Sequence, residues 1–321
     1  MIRWLACVVS LSFAAAFPAA AQDWPARPVR FIVPFPPGGS VDPLARLAGA
    51  KLGEALKQQF VVENRPGAGG SIGTAAAAKA APDGYTFLFV FDSHAINPAL
   101  IRDLPFDTAK DLAPVMLVGT APYAIVTQAA KPWKSFAEVV SASRAKPGSV
   151  TVGSIGNGTL GHLLLVQAQQ MGGFQLTHVP FAGGGPMTQN ILGGQIELGI
   201  GSVALLTPHV RGGRMRAIAV AGDKRAATMP EVPTLIEQGF PGLVGHAWWG
   251  IFAPAGTPKP ILDRFHSELV KVFNLADVRK TLADSLGMDL VVSSPEELQR
   301  FLLAEMERWG RVVRENNIRA D

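Results

Sequence analysis

Val33-Pro34-Phe35-Pro36-Pro37-Gly38-Gly39-Ser40-Val41-Asp42 closes a short apolar run and opens an amphipathic one, and its reading decides the fold. Upstream, Val29, Phe31, Ile32 and Val33 are strand formers; downstream, Leu44, Leu47, Ala48 and Leu52 recur at helical spacing. The stretch therefore joins a buried strand to a helix. Pro43, just inside that helix, needs no N–H there, and Ser40 or Asp42 is placed to cap the helix start. Gly38 and Gly39 permit backbone angles and close approaches that a side chain forbids. Such a turn aims unpaired N–H groups and the positive end of a helix dipole above the strand, which suits a carboxylate or phosphate. The same residues also serve a plain strand-to-helix connection.

The pattern repeats along the chain. Phe60 to Glu63 reads as a strand, Asn64-Arg65-Pro66-Gly67-Ala68-Gly69-Gly70-Ser71 as a second glycine turn, and Ile72 to Ala80 as a helix. Thr86 to Phe91 reads as a buried strand ending at Asp92-Ser93-His94, with Asn97-Pro98 just beyond. The alternation predicts an α/β fold with a mostly parallel sheet, whose ligands bind beyond the carboxyl ends of the strands. From Leu112 to Thr127 two strand pieces are expected, broken at Gly119 and Pro122, with the chain passing between domains near residue 121. A second series follows, with helices at 136–144, 162–171 and 187–192 and strands at 150–152, 177–180, 196–200 and 216–220. Trp248 to Ala253 is a candidate second crossing strand, and helices at 260–274, 278–286 and 295–316 close the chain. Two connections between domains leave a cleft that can hinge.

At 321 residues the chain suits two α/β domains. Arg3, the apolar stretch Trp4 to Phe17 and Ala19-Ala20-Ala21 form a signal-peptide pattern, so residues 1–21 are expected to be removed and the protein exported. The single cysteine, Cys7, lies in that segment, so the mature chain has no disulfide and no thiol nucleophile. Loss of Arg3 leaves 28 basic against 25 acidic residues, a net of +3. The basic residues are scattered without interleaved aromatics, which gives no support to nucleic-acid binding.

Gly156, Gly158 and Gly161 form a G-x-G-x-x-G between a predicted strand and a helix, the spacing of a dinucleotide site. That site also needs an acid about 20 residues further on for the ribose, and no Asp or Glu lies between Glu138 and Glu197. The anion-binding part of the reading stands and the dinucleotide part is discarded; no cofactor is expected. Ser154, Asn157 and Thr159 can hydrogen-bond a ligand there, or simply make the turn. No nucleophile elbow surrounds Ser154, and no two of the six histidines fall at the helical metal spacing of four. An exported hydrolase or nucleotide-dependent enzyme remains the alternative reading.

The ordered set P-F-P-P-G-G-S-V-D at 34–42, N-R-P-G-A-G-G-S-I-G at 64–73, P-D-G-Y-T at 82–86, Asn97-Pro98, H-V-P-F at 178–181, L-G-G-Q at 192–195, Trp249-Gly250 and A-P-A-G-T-P at 253–258 resembles the Bug receptors of the tripartite tricarboxylate transporter family. The resemblance spans essentially the whole mature chain. It implies a type II periplasmic binding fold, with residues 22–121 and 243–321 in one domain and 122–242 in the other. It also implies a monomer that delivers a small carboxylate, without chemical change, to membrane permease subunits or a sensor. The carboxylate would be held largely through backbone N–H groups and water, without an arginine clamp. One jaw would comprise Phe35, Gly38, Gly39, Ser40, Asp42, Ala68, Ser93 and Asn97. The other would comprise Ser154, Gly156, Gly158, Thr159, Phe181, Gly183 and Ser202. The chain departs from the family at Phe181-Ala182, where Tyr-Lys is common, and at Gly201, where an acid is common; an amino-acid ligand is therefore not expected.

Overall fold

Phe31, with Val29 and Val33, anchors β1 (Val29–Val33), all three fully buried. A computed structural model describes residues 24–319, so the expected leader 1–21 and Cys7 lie outside the described residues. β1 pairs in parallel with β2 (Phe60–Asn64) and β3 (Thr86–Val90), with Phe31 opposite Val62 and Phe87. The returns are α1 (Val41–Leu56) and α2 (Ser71–Ala78). α3 (Ser93–Leu100) follows β3, and β4 (Leu112–Gln128) runs on into the second half of the molecule. There α4 (Phe136–Ala145), β5 (Thr151–Ser154), α5 (Leu160–Gly172), β6 (Thr177–Pro180), α6 (Gly184–Leu192), β7 (Leu198–Ser202), α7 (Val203–Arg211) and β8 (Met215–Ala221) follow in turn. The chain returns through β9 (His246–Pro254), α8 (Lys259–Phe273), α9 (Ala276–Arg279), a π turn at Lys280–Ser285, β10 (Asp289–Leu290) and α10 (Pro295–Glu315).

The strand order is β2-β1-β3-β9-β4-β7-β5-β6, with β8 and β10 also paired to β4. The outer strands of each half are parallel, as expected, but β9 is antiparallel to β3 and β4, and β4 is antiparallel to β7, β8 and β10. The sheet is therefore mixed rather than mostly parallel. β4 is one continuous strand, not two pieces: residues Leu112 to Pro122 pair with β9, and Tyr123 onward pairs with β7 and β8. Gly119 does not break it; a β-carbon there would stand 2.6 Å from the Asp289 carbonyl oxygen, so glycine admits the crossing of β10. Pro122 lacks an N–H at the position where the partner changes. The second crossing lies at Gly245–His246, and β9 then contains the expected strand Trp248 to Ala253. Gly245 N donates to Ala221 O, its carbonyl accepts from Tyr123 N, and β9 then pairs wholly within the first half.

Two α/β lobes result, each with its own aromatic cluster. Phe31, Phe87 and Phe265 pack in one, with Trp24 edge-on to the last two. Phe136, Phe174 and Phe240 pack in the other. Two helices lie beyond the sequence expectation, α3 and α7, and each carries an internal proline, Pro98 or Pro208, that forfeits an intrahelical hydrogen bond and masks the helical signal. α10 begins with a capping box, Ser294 with Glu297, and packs on α3 and β4 of the first lobe.

Candidate functional site: the interlobe cleft

The turns after β1, β2, β5 and β6 meet at the carboxyl ends of their strands, and a cavity of about 750 Å³ lies among them. The first lobe lines it with Phe35, Gly67 to Gly70, Asn97 and Ala99 to Asp103. The second contributes Ile155, Gly156, Asn157, Pro180, Phe181 and Ala182, and Ile318 and Arg319 close it after α10. A smaller recess of about 20 Å³ adjoins it, sharing Phe35 and Ile155. Gly39, Ser40, Gly184, Gly201, Ser202 and Tyr123 line that recess, and its volume admits about one water-sized group. The starts of α1, α6 and α7 thus face one another across it, a setting that favours negative charge.

The second glycine turn is built for this position. Gly67, Ala68, Gly69 and Gly70 all have positive φ, at 133°, 46°, 60° and 94°. The strain at Ala68 persists because the turn is held from beneath: Ser93 Oγ and Asn97 Nδ2 donate to the Gly69 carbonyl at 2.7 and 3.1 Å. On the other lobe, Gly185 lets α6 approach the first turn, since a β-carbon there would stand 2.7 Å from the Pro37 carbonyl oxygen.

The expected site residues separate into three groups. Phe35, Ala68, Asn97, Gly156 and Phe181 line the large cavity, and Gly39, Ser40 and Ser202 line the recess. Gly38, Gly158 and Gly183 line neither, but serve close approach between lobes: a β-carbon would meet Gly185 Cα at 3.6 Å from Gly38, Leu100 at 2.2 Å from Gly158 and Pro36 at 2.7 Å from Gly183. Asp42, Ser93, Ser154 and Thr159 line neither hollow; they are buried, and their side chains are hydrogen-bonded within the scaffold. Asp42 neither caps α1 nor faces the cleft; its carboxylate accepts from Arg46 Nε at 3.0 Å and Asn64 Nδ2 at 2.9 Å, and Asn64 also donates to the Phe35 carbonyl. Ser40 makes no side-chain cap; its hydroxyl accepts from Trp249 Nε1 at 3.2 Å. Ser202 is a true cap, accepting from Leu205 N.

Ser154 Oγ lies 2.7 Å from His178 Nε2 and 3.0 Å from the Gly156 carbonyl, and Thr159 Oγ1 donates to that same carbonyl. Burial and the neighbouring His162, stacked at 4.2 Å between centroids, lower the His178 pKa from 6.5 to about 4. Behind the recess, Tyr123 donates to Asp92 at 2.7 Å, and burial holds the Asp92 carboxyl well above the carboxylate range. Among the described residues no His, Cys, Asp or Glu group is placed to hold a metal ion. The lining residues Gly67, Gly69, Arg102, Asp103 and Arg319 are absent from the sequence expectation. No local signal marks Arg102 and Arg319, because they border one cavity only through the packing of α10 on α3.

Two lobes, two crossings and a cleft faced by glycine turns define a solute-binding protein of the periplasmic type. Residues 44–318 match the family model described as the tripartite tricarboxylate transporter family receptor. The chain belongs to that family. It is similar to protein BugT of Bordetella pertussis, 36% identical over 302 residues that span 94% of this chain and 92% of the relative. Its fold matches the structure of periplasmic binding protein BugD with a TM-score of 0.87 and 28% identity, covering 92% of this chain and 99% of the other. It also matches R. palustris Rpa4515 with adipate, with a TM-score of 0.88 and 32% identity over 92% and 99%. No helix among the described residues is long and apolar enough to cross a membrane.

Proposed function

We propose that this receptor captures a carboxylate-bearing solute in the interlobe cleft, as a monomer in the periplasm, and passes it unchanged to permease subunits or a sensor. The observation that carries this reading is the cavity bracketed by glycine turns and helix starts of both lobes, where backbone N–H groups can receive an anion. The adipate bound by the similar Rpa4515 supports a carboxylate. We place the domain boundaries at 22–121 with 243–321, and 122–242, because β4 exchanges partners after Pro122 and Gly245 bridges the two halves. Removal of 1–21 by cleavage after Ala21 belongs to the same proposal and is checked by intact mass of the exported protein. A thermal-shift screen of residues 22–321 tests the function. A bound acid at a hundred times its Kd adds about 2.7 kcal/mol, a rise of about 4 °C for a cooperative unit of roughly 300 residues. Absence of any carboxylate response overturns the reading.

One observation favours the enzymatic alternative, the 2.7 Å contact between Ser154 and His178. Against it, Ser154 is fully buried, and among the described residues no carboxylate hydrogen-bonds His178 to orient the ring. Ester turnover abolished by Ser154→Ala would reverse our preference.

A further inference from the structure

Asn157-Gly158 is the one Asn-Gly pair in the chain, and Asn157 borders the large cavity of the cleft. Asn157 is partly exposed, whereas Gly158 is buried. The fold imposes this glycine: its φ is 67°, and a β-carbon there would stand 2.2 Å from Leu100 of the other lobe. Its N–H donates at 3.0 Å to His162 Nδ1, so that ring nitrogen is unprotonated and faces the amide proton. His178 stacks on His162 with 4.2 Å between centroids and 6° between planes. Burial lowers the His178 pKa to about 4, so at neutral pH the stacked ring places no cation against His162.

We propose that Asn157 is a self-modification site, where the folded protein converts the asparagine to aspartate and isoaspartate with His162 as the base. Gly158 N gives its proton to His162 Nδ1 and bonds to Asn157 Cγ; the Cγ–Nδ2 bond breaks, and Nδ2 leaves as ammonia, carrying that proton away. Water then adds to either carbonyl of the succinimide ring and breaks its bond to nitrogen. The net change is amide plus water to acid plus ammonia, with no oxidant or reductant. Asparagine is a thermolabile residue, and glycine leaves the attacking nitrogen unhindered. Attack within the chain replaces an encounter in solution, and a positioned base adds to its rate. The product carboxylate lies just ahead of α5, whose start favours negative charge. It stands on the cavity wall and repels an incoming anion, a consequence that, unlike the conversion itself, rests on the receptor reading.

The test is a time course of the mature protein, residues 22–321, at physiological temperature and pH, read by peptide mass mapping and an isoaspartate assay resolved to position 157. A parallel sample in urea gives the rate of the unfolded chain. The folded protein should convert at least as fast as the unfolded one. His162→Gln should slow the folded rate about a hundredfold and leave the unfolded rate unchanged. Slower conversion in the folded wild type, or an unchanged rate in folded His162→Gln, overturns the inference; should that variant fail to fold, the wild-type comparison decides alone. Converted and unconverted wild type, separated by ion exchange, are then titrated calorimetrically with acetate, succinate, adipate and benzoate. The converted form, and Asn157→Asp, should bind about tenfold or more weakly than the unconverted form. Equal affinity overturns the loss of the cleft. If the unconverted protein binds none of these acids, the receptor reading fails, and the mass mapping still decides the conversion.

Discussion

Ser154 Oγ holds three contacts at once, accepting from Gly156 N at 3.2 Å while lying against His178 Nε2 and the Gly156 carbonyl. It fixes the turn that lines the cleft without facing the cleft. Ser154→Ala is therefore expected to cost about 1–3 kcal/mol in urea unfolding. For a scaffold residue this loss exceeds the loss in ligand binding free energy; a direct contact would give the reverse. Ser93→Ala, which leaves Asn97 alone on the Gly69 carbonyl, should cost about 1 kcal/mol by the same measurement. From the sequence, each of these polar residues is visible at a turn. Whether a hydroxyl faces the ligand or its own turn depends on the rotamer that packing allows, and for Ser93, Ser154 and Thr159 packing chose the turn.

Among elements, α6 offers the clearest test of closure. Gly185 lies inside this helix, where alanine is the better helix former by roughly 1 kcal/mol. Its missing β-carbon admits the Pro37 carbonyl of the other lobe. Gly185→Ala should thus leave the ligand-free melting temperature unchanged or raised. It should also weaken ligand binding by about five- to a hundredfold, because crowding of about 1–3 kcal/mol falls on the closed state alone. Equal affinity for wild type and variant in calorimetry would show that this contact does not belong to the ligand-bound form. β4 illustrates the limits of local reading. Gly119 and Pro122 are breakers by composition, yet the strand runs through both because β10 crosses at one and the partner changes at the other.

For the whole molecule, pH separates two buried groups with opposite effects. His94 packs against Phe252 and Trp248, neither ring nitrogen has a hydrogen-bond partner, and burial lowers its pKa from 6.5 to about 3. The unfolded chain takes up a proton near 6.5 that the folded chain refuses until about 3. The stability from neutral His94 is therefore complete above pH 6.5 and lost as pH falls. Asp92, raised by burial, contributes stability that is present below its ordinary value of 3.8 and lost as pH rises through the folded value. His94→Phe isolates the first effect. Its stability relative to wild type should grow by about 2–3 kcal/mol between pH 7 and pH 4.5 in urea titrations, at 1.36 kcal/mol per unit. A constant difference would place a proton acceptor or water on His94 that the packing does not indicate.

By itself the sequence determined the alternation of strand and helix, the two glycine turns, the two crossings and the family. These depend on side-chain period and on backbone freedom, both local properties. Only the tertiary structure decided that β4 and β9 run antiparallel through the centre, because direction depends on which strands become neighbours. It also turned Asp42 and Ser93 to the scaffold, and it brought Arg102 and Arg319 to one rim. That meeting follows from the docking of α10 on α3, and no window of neighbouring residues records it.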